Sequence, residues 1–390
     1  MKNLLKVSLV GILVIALIST FSFIGCKTTT TTTAAAETTA AAAETTAAAE
    51  TTAAATTTTA TSKPITVGYS NGLITHAWRT QMMADIQQDF NIYKGKGWAD
   101  KLIIQNAGFD VDLQINQIRN LINSKVDLLL INPNSVTALN PVIEEAVKAG
   151  IMVIVIDQTV ASEAPYQILG DSVQWMADQA KWVFEKMGKK GKVVYLSGVD
   201  GQPANTDRDN GFMDTLKNYP DIKLLTKANG NWDPSTSQQA MTDVLAAFPQ
   251  IDAVVSHDGQ VMGTLRAFDA AGRKHPIING DYMVNFVEYW VKNIDTVDAF
   301  TLINSPGMAT CLGLGVGVRM LHGMKLKDGF FKEDPLHNIK SPTVALIPYT
   351  NKVDNSNVVE LYNNHINTRG IAEYLDIWPS QDEIDALFVQ

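Results

Sequence analysis

Residues 128–158, LLLINPNSVTALNPVIEEAVKAGIMVIVIDQ, decide how the rest of the chain is read. Leu128–Ile131 and Met152–Ile156 are unbroken apolar runs of strand length. Such runs, without alternation, belong to parallel strands buried on both faces. Between them, Leu139–Ala149 has helical apolar spacing and is closed by Gly150. Working outward, the alternation repeats. Upstream lie strand candidates Ile65–Ser70 and Leu102–Gln105, with helices at Trp78–Phe90 and Leu113–Ile122. Downstream, strands at Lys192–Ser197, Leu224–Thr226, Ala253–Ser256, Ile277–Asn279 and Ala299–Ile303 are interleaved with helices. These are Trp175–Met187, Asp209–Asn218, Ser237–Phe248, Met262–Ala271 and Asn285–Lys292. The pattern predicts an α/β protein of two doubly wound lobes, with ligands beyond the carboxyl ends of the strands. Val344–Tyr349 reads as a strand closing the second lobe, and Pro379 onward as a capping helix.

Composition narrows the function. The 390 residues carry 31 Lys/Arg against 40 Asp/Glu, a formal charge of −9. A phosphate-backbone binder needs a basic surface, so nucleic acid is not expected as a partner. Cys26 and Cys311 are the only cysteines and no H-x-x-x-H pair occurs, so neither a disulfide scaffold nor a zinc site is expected. Gly313, Gly315 and Gly317 lack the G-x-G-x-x-G spacing and read as sites of close helix packing. Tyr195 stands where a nucleophile elbow at Ser197 needs glycine, and there is no Walker-type G-K-[ST]. No enzyme and no cofactor are expected.

The N-terminus speaks to compartment. Lys2 and Lys6 precede the apolar stretch Val7–Ile18, the pattern of a secretory signal. Phe23-Ile24-Gly25-Cys26 resembles a bacterial lipobox, with Phe at the usual Leu position. Residues 1–25 are therefore expected as a lipoprotein signal peptide and Cys26 as the lipidated residue anchoring the protein to the bacterial membrane. The alternative is a plain transmembrane anchor with an incidental cysteine. Residues 26–63, nearly all Thr, Ala and Glu, cannot bury a core and read as a disordered stalk, on the order of 30–35 Å in r.m.s. span.

Polar residues collect at the strand ends: Asn71, His76, Trp78 and Arg79 after the first, Asp157-Gln158 after the fourth. Arg208, Trp232, Asp258, Asp281 and Asn304 follow in the second series. The segments I-N-P at 131–133, V-I-D-Q at 155–158, R-D-N-G-F at 208–212, H-D-G-Q at 257–260 and N-G-D at 279–281 carry a resemblance in their joint order. Over residues 65–340 the chain resembles the ribose- and galactose-type (type 1) solute-binding proteins of bacterial ABC importers. The resemblance implies two Rossmann-like lobes joined by three crossovers, near Leu169–Asp171, Asn304–Pro306 and Ile339–Thr343, closing on a monosaccharide. It divides the body into a first lobe of 64–169 and 305–340 and a second of 170–304 and 341–390, the C-terminal extension having no assigned role.

Carried over residue by residue, the resemblance implies Asn71, Trp78, Asp157, Arg208, Trp232, Asp258, Asp281 and Asn304 as ligand contacts, with His76 and Arg79 as further candidates. Indole faces cover the apolar side of a sugar, carboxylates accept from its hydroxyls, and Arg and Asn donate. Asp258 and Asp281 could instead cap helices, and Asp157 and Arg208 could form a structural ion pair. Trp175, Trp182 and Trp290 read as core, and Asp200, Asp207 and Asp233 as solvated loop residues. Gln158 stands where ribose-type members have Arg, and Asp258 where many have Asn, which makes the cleft more acidic and leaves room for an amino sugar or another cation. The expected partners are a monosaccharide, the importer's permease and, through Cys26, the membrane, for a monomeric protein. A receptor feeding a chemotaxis or sensor protein, the same clamp holding a nucleoside, and the effector half of a LacI-type repressor are the competing readings.

Overall fold

The structure, a computed structural model, describes residues 63–74, 76–366, 374 and 378–389; the signal, Cys26 and the stalk up to residue 62 lie outside the described residues. The first lobe opens with β1 (Ile65–Asn71), β2 (Ala99–Asn106), β3 (Leu128–Asn132), β4 (Met152–Asp157) and β5 (Tyr166–Gly170). The second contains β6 (Gly191–Ser197), β7 (Ile222–Asn229), β8 (Ala253–Ser256), β9 (Ile277–Asn279) and β10 (Ala299–Leu302). β11 (Lys332–Asp334), β12 (Ile339–Ile347) and β13 (Lys352–Asp354) follow. The sheet orders are β11-β12-β5-β4-β3-β1-β2 and β13-β10-β9-β8-β6-β7, parallel except at β11 and β13. Both are doubly wound, as the alternation of runs predicts.

The apolar runs of β3 and β4 are continuous because both faces of the sheet are covered. Strand side chains alternate between faces. Leu128, Leu130, Ile154 and Ile156 enter one core with helices Ala77–Gly95 and Pro306–Leu321. Leu129, Ile131, Val153 and Val155 enter the other with helices Val111–Asn123 and Asn140–Lys148. The glycines of helix Pro306–Leu321 serve this packing: a Cβ on Gly313 would lie 2.7 Å from Ile156, and one on Gly317 2.7 Å from Leu128. Trp175 and Trp290 are core residues of the second lobe, and Trp182 stacks on Phe300 at 5.0 Å.

The strand expected to close the second lobe closes the first instead. β12 pairs in parallel with β5, Val344 opposite Gln167 and Leu346 opposite Leu169. A β-branched run announces a strand but not which sheet takes it. The third crossover is therefore at residues 348–351 rather than Ile339–Thr343, while the first two run from β5 into helix Ser172–Lys186 and from β10 into helix Pro306–Leu321. The crossovers brace one another: Asp171 N donates to Ile347 O at 3.1 Å and Ile303 N to Asn351 O at 2.9 Å. The C-terminal part is shared between lobes. Val353 and Val358 are buried in the second-lobe core, Ile384 and Phe388 in the first. The capping helix runs Gln381–Asp385, and Asp385 pairs with the fully buried Arg319 at 2.6 Å.

Asp207 is not a solvated loop residue. It lies on helix Pro203–Leu216 of the second lobe and meets His337, on the β11–β12 turn of the first, at 3.2 Å; His337 also pairs with Asp334. Burial pulls the imidazole down, but hydrogen bonds with Asp207 and Asp334 outweigh it and hold its pKa at about 9. The folded state thus favours the protonated ring, so this stabilisation is complete below the ordinary histidine value near 6.5 and is lost as pH rises through about 9. Denaturant unfolding should show wild type more stable than His337→Gln at pH 6, the gap closing by pH 10. A gap that does not change with pH would contradict the charged bridge.

Candidate functional site

Asp157, the last residue of β4, has φ of +67°, which turns its carboxylate out of the sheet at the carboxyl ends of the strands. Arg79, in the first turn of helix Ala77–Gly95, meets it at 3.0 Å, and Asn132 Nδ2 donates to it at 3.1 Å. The guanidinium lies 5.1 Å from the centre of the Trp78 ring. Trp78 Nε1 donates to the carbonyl of Asn304 at 2.9 Å, tying this helix to the second crossover. His76 precedes the helix; burial, Arg79 and Arg208 push its pKa down to about 3, so the imidazole is neutral.

The second lobe repeats the device. Arg208, on helix Pro203–Leu216, meets Asp258 at 3.2 Å, and Asn304 Nδ2 donates to the same carboxylate at 2.8 Å. The Arg208 guanidinium lies 4.4 Å from the Trp175 ring. Burial raises the pKa of both Asp157 and Asp258; Arg79 and Arg208 offset part of the rise at Asp157, and Arg208 and Asn304 part of it at Asp258. Asn231 and Trp232 are successive left-handed residues, with φ of +54° and +56°. Non-glycine residues there are strained by about 1–3 kcal/mol each, and such strain clusters at functional sites. Here it turns an indole into the cleft, where Nε1 donates to His257 Nδ1 at 3.1 Å and the ring meets His76 edge-on at 5.9 Å. Gly198 makes room: a Cβ there would fall 2.1 Å from that Nε1.

These halves face one narrow cleft, lined by residues of both lobes. The chain matches a family described as periplasmic binding protein domain over residues 67–312. It belongs to that family. A ribose import binding protein of Bacillus subtilis is 30% identical over 224 residues, 56% of this chain and 70% of that protein. A galactofuranose-binding protein of Escherichia coli is 28% identical over 228 residues, 55% of this chain and 69% of that protein. Among solved structures, an ABC transporter solute binding protein from Thermobispora bispora superposes with a TM-score of 0.71 at 26% identity, covering 83% of this chain and 94% of that one. One from Bacillus halodurans with bound myo-inositol shares the fold, with a TM-score of 0.65 at 21% identity over 78% of this chain and 99% of that one.

Eight of the residues named from the sequence line the cleft of this binding protein: His76, Trp78, Arg79, Asp157, Arg208, Trp232, Asp258 and Asn304. Asn71 and Asp281 are not on its wall. Asn71 donates to Leu73 O at 2.6 Å and to Asn106 Oδ1 at 2.8 Å, bracing the loop after β1. Asp281 accepts from the backbone N–H groups of Gly259 and Met283, which pins the loops after β8 and β9. Burial and nearby Asp258 raise its pKa to about 7. The Asp157–Arg208 ion pair considered from sequence is not formed; each lobe pairs its own two charges.

Nor is the cleft acidic. Arg79 supplies the cation that position 158 lacks, and each lining carboxylate has an arginine. Gln158 is freed for another task. It donates to Asn132 Oδ1 at 3.2 Å in its own lobe and accepts from Ala204 N at 3.0 Å in the other. Tyr374, in the C-terminal extension, also lines the cleft and was not foreseen. Three buried nitrogens of cleft residues, His76 Nε2, Arg79 Nε and Arg208 Nε, have no hydrogen-bond partner among the described residues.

Proposed function

We propose that this protein is an extracytoplasmic receptor that binds a neutral monosaccharide by closure of its two lobes and delivers it to the permease of an ABC importer. The observation that carries this reading is the charge arrangement of the cleft: two Asp–Arg pairs, a neutral imidazole and two indoles. A cationic ligand would need an unpaired carboxylate, and both lining carboxylates already have cations. A neutral polyol asks for what is present. Carboxylate oxygens accept from its hydroxyls, the three unpartnered nitrogens interact with its oxygens, and the indoles cover its CH face. The ribose-binding and galactofuranose-binding relatives support the ligand class, and the Thermobispora solute binding protein supports the importer.

The test is calorimetry of the purified protein against pentoses, hexoses, polyols, nucleosides and amino sugars. A neutral monosaccharide should bind and its 2-amino counterpart should bind more weakly. Asp258→Asn and Trp232→Ala should each weaken binding by about 1.5–3 kcal/mol, roughly 10- to 150-fold. Preference for the amino sugar, or losses under threefold in both variants, would contradict the reading.

A lipid on Cys26, with the Thr/Ala/Glu-rich stretch as spacer, would hold the receptor at the membrane within reach of a permease. The Gly25-Cys26 junction supports this part. Cys26→Ala should leave the signal uncleaved or the protein released from the membrane. An unmodified mature N-terminus downstream of Cys26, seen by mass spectrometry, would rule the anchor out.

A further inference from the structure

The chain crosses between the lobes once more after β13. Val358 is buried in the second-lobe core, whereas Ile384 and Phe388 are buried in the first-lobe core, where Lys327 N donates to Leu387 O at 2.8 Å. Tyr374 lies between these anchors in sequence, and its backbone is held from both lobes. It forms an antiparallel bridge with Met283, two residues after Asp281 in the second lobe. In the first lobe it is matched to one amide: Tyr374 N donates to Gln81 Oε1 at 2.7 Å, and Gln81 Nε2 donates to Tyr374 O at 3.2 Å. Gln81 lies on the helix that carries Trp78 and Arg79. The side chain of Tyr374 is 3% exposed and lines the same cleft as Trp78, Arg208, Trp232 and Asp258. Burial, with Asp281 and Asp258 nearby, keeps the phenol protonated, so its hydroxyl can both donate and accept.

A buried aromatic residue held from two lobes at the edge of a ligand cleft is placed to sense both the ligand and the closure. We propose that Tyr374 is a ligand contact, added to those from the strand ends of the two lobes and positioned by Gln81 and by the bridge to Met283. The proposal rests on the sugar reading above. It gives the extension a role that composition and periodicity could not.

The test is calorimetry on the full chain with the best-binding sugar of the panel, alongside thermal melting without ligand. Tyr374→Ala should weaken binding roughly tenfold or more, and Tyr374→Phe, which keeps the buried ring and guards against loss of fold, by severalfold. Gln81→Ala should weaken binding as a positioning residue, and its effect should vanish in the Tyr374→Ala background, the non-additivity expected of two residues acting as one. Wild type that binds while Tyr374→Ala and Tyr374→Phe both bind within threefold of it would overturn the Tyr374 contact and leave the sugar reading standing. Wild type that binds none of the panel would overturn the sugar reading itself.

Discussion

The cleft depends on two buried ion pairs, Arg79–Asp157 in one lobe and Arg208–Asp258 in the other. Taking such charges out of water costs several kcal/mol per ion, which is offset only by good geometry and added hydrogen bonds. Both pairs have these. Asn132 supports the first and Asn304 the second, and each guanidinium lies near an indole face, Trp78 or Trp175. Because each pair is formed within one lobe, each half of the cleft is complete before the halves meet. The same pairing fixes the electrostatics. It leaves the wall without a net formal charge among its paired groups, and this favours a neutral, hydroxyl-rich ligand over a cation.

What the sequence disclosed follows from which physical signals are local. The sheet was legible because burial on both faces forces unbroken apolar runs, as at Leu128–Ile131 and Met152–Ile156. The site was legible in the same measure as the rule that ligands sit beyond strand carboxyl ends, which picks out Asp157 and Asp258. That rule also picks Asn71 and Asp281, since a polar residue after a strand serves equally to tie loops together. Only their hydrogen bonds, to Asn106 and to the Gly259 and Met283 backbone, separate the two uses. The cation beside Asp157 is not legible locally for a related reason. Gln158, the neighbour in sequence, suggests a missing cation, while the arginine that pairs with Asp157 is Arg79, from a helix far away in the chain. β12 was assigned to the wrong sheet because a strand's own residues do not name its neighbour. Tyr374 carries no pattern at all; long-range backbone pairing places it.

Closure is built into the same parts. Asn304, at the second crossover, accepts from Trp78 through its carbonyl and donates to Asp258 through its amide. A hinge residue is thus bonded to both half-sites. Gln158 reaches Ala204 across the cleft, and His337 reaches Asp207 outside it. A ligand that touches both lobes adds differential affinity for the closed arrangement, and only such affinity shifts the equilibrium. Hinge closure around ligand is part of the known repertoire of this architecture. The three short crossovers are braced against one another by the Asp171–Ile347 and Ile303–Asn351 backbone bonds.

Solution scattering with and without a tightly bound monosaccharide tests this account most directly. Two preformed half-sites joined at one hinge should open without ligand and close with it, so the radius of gyration should fall on saturation. Scattering curves that superimpose in the two states would contradict closure on the ligand.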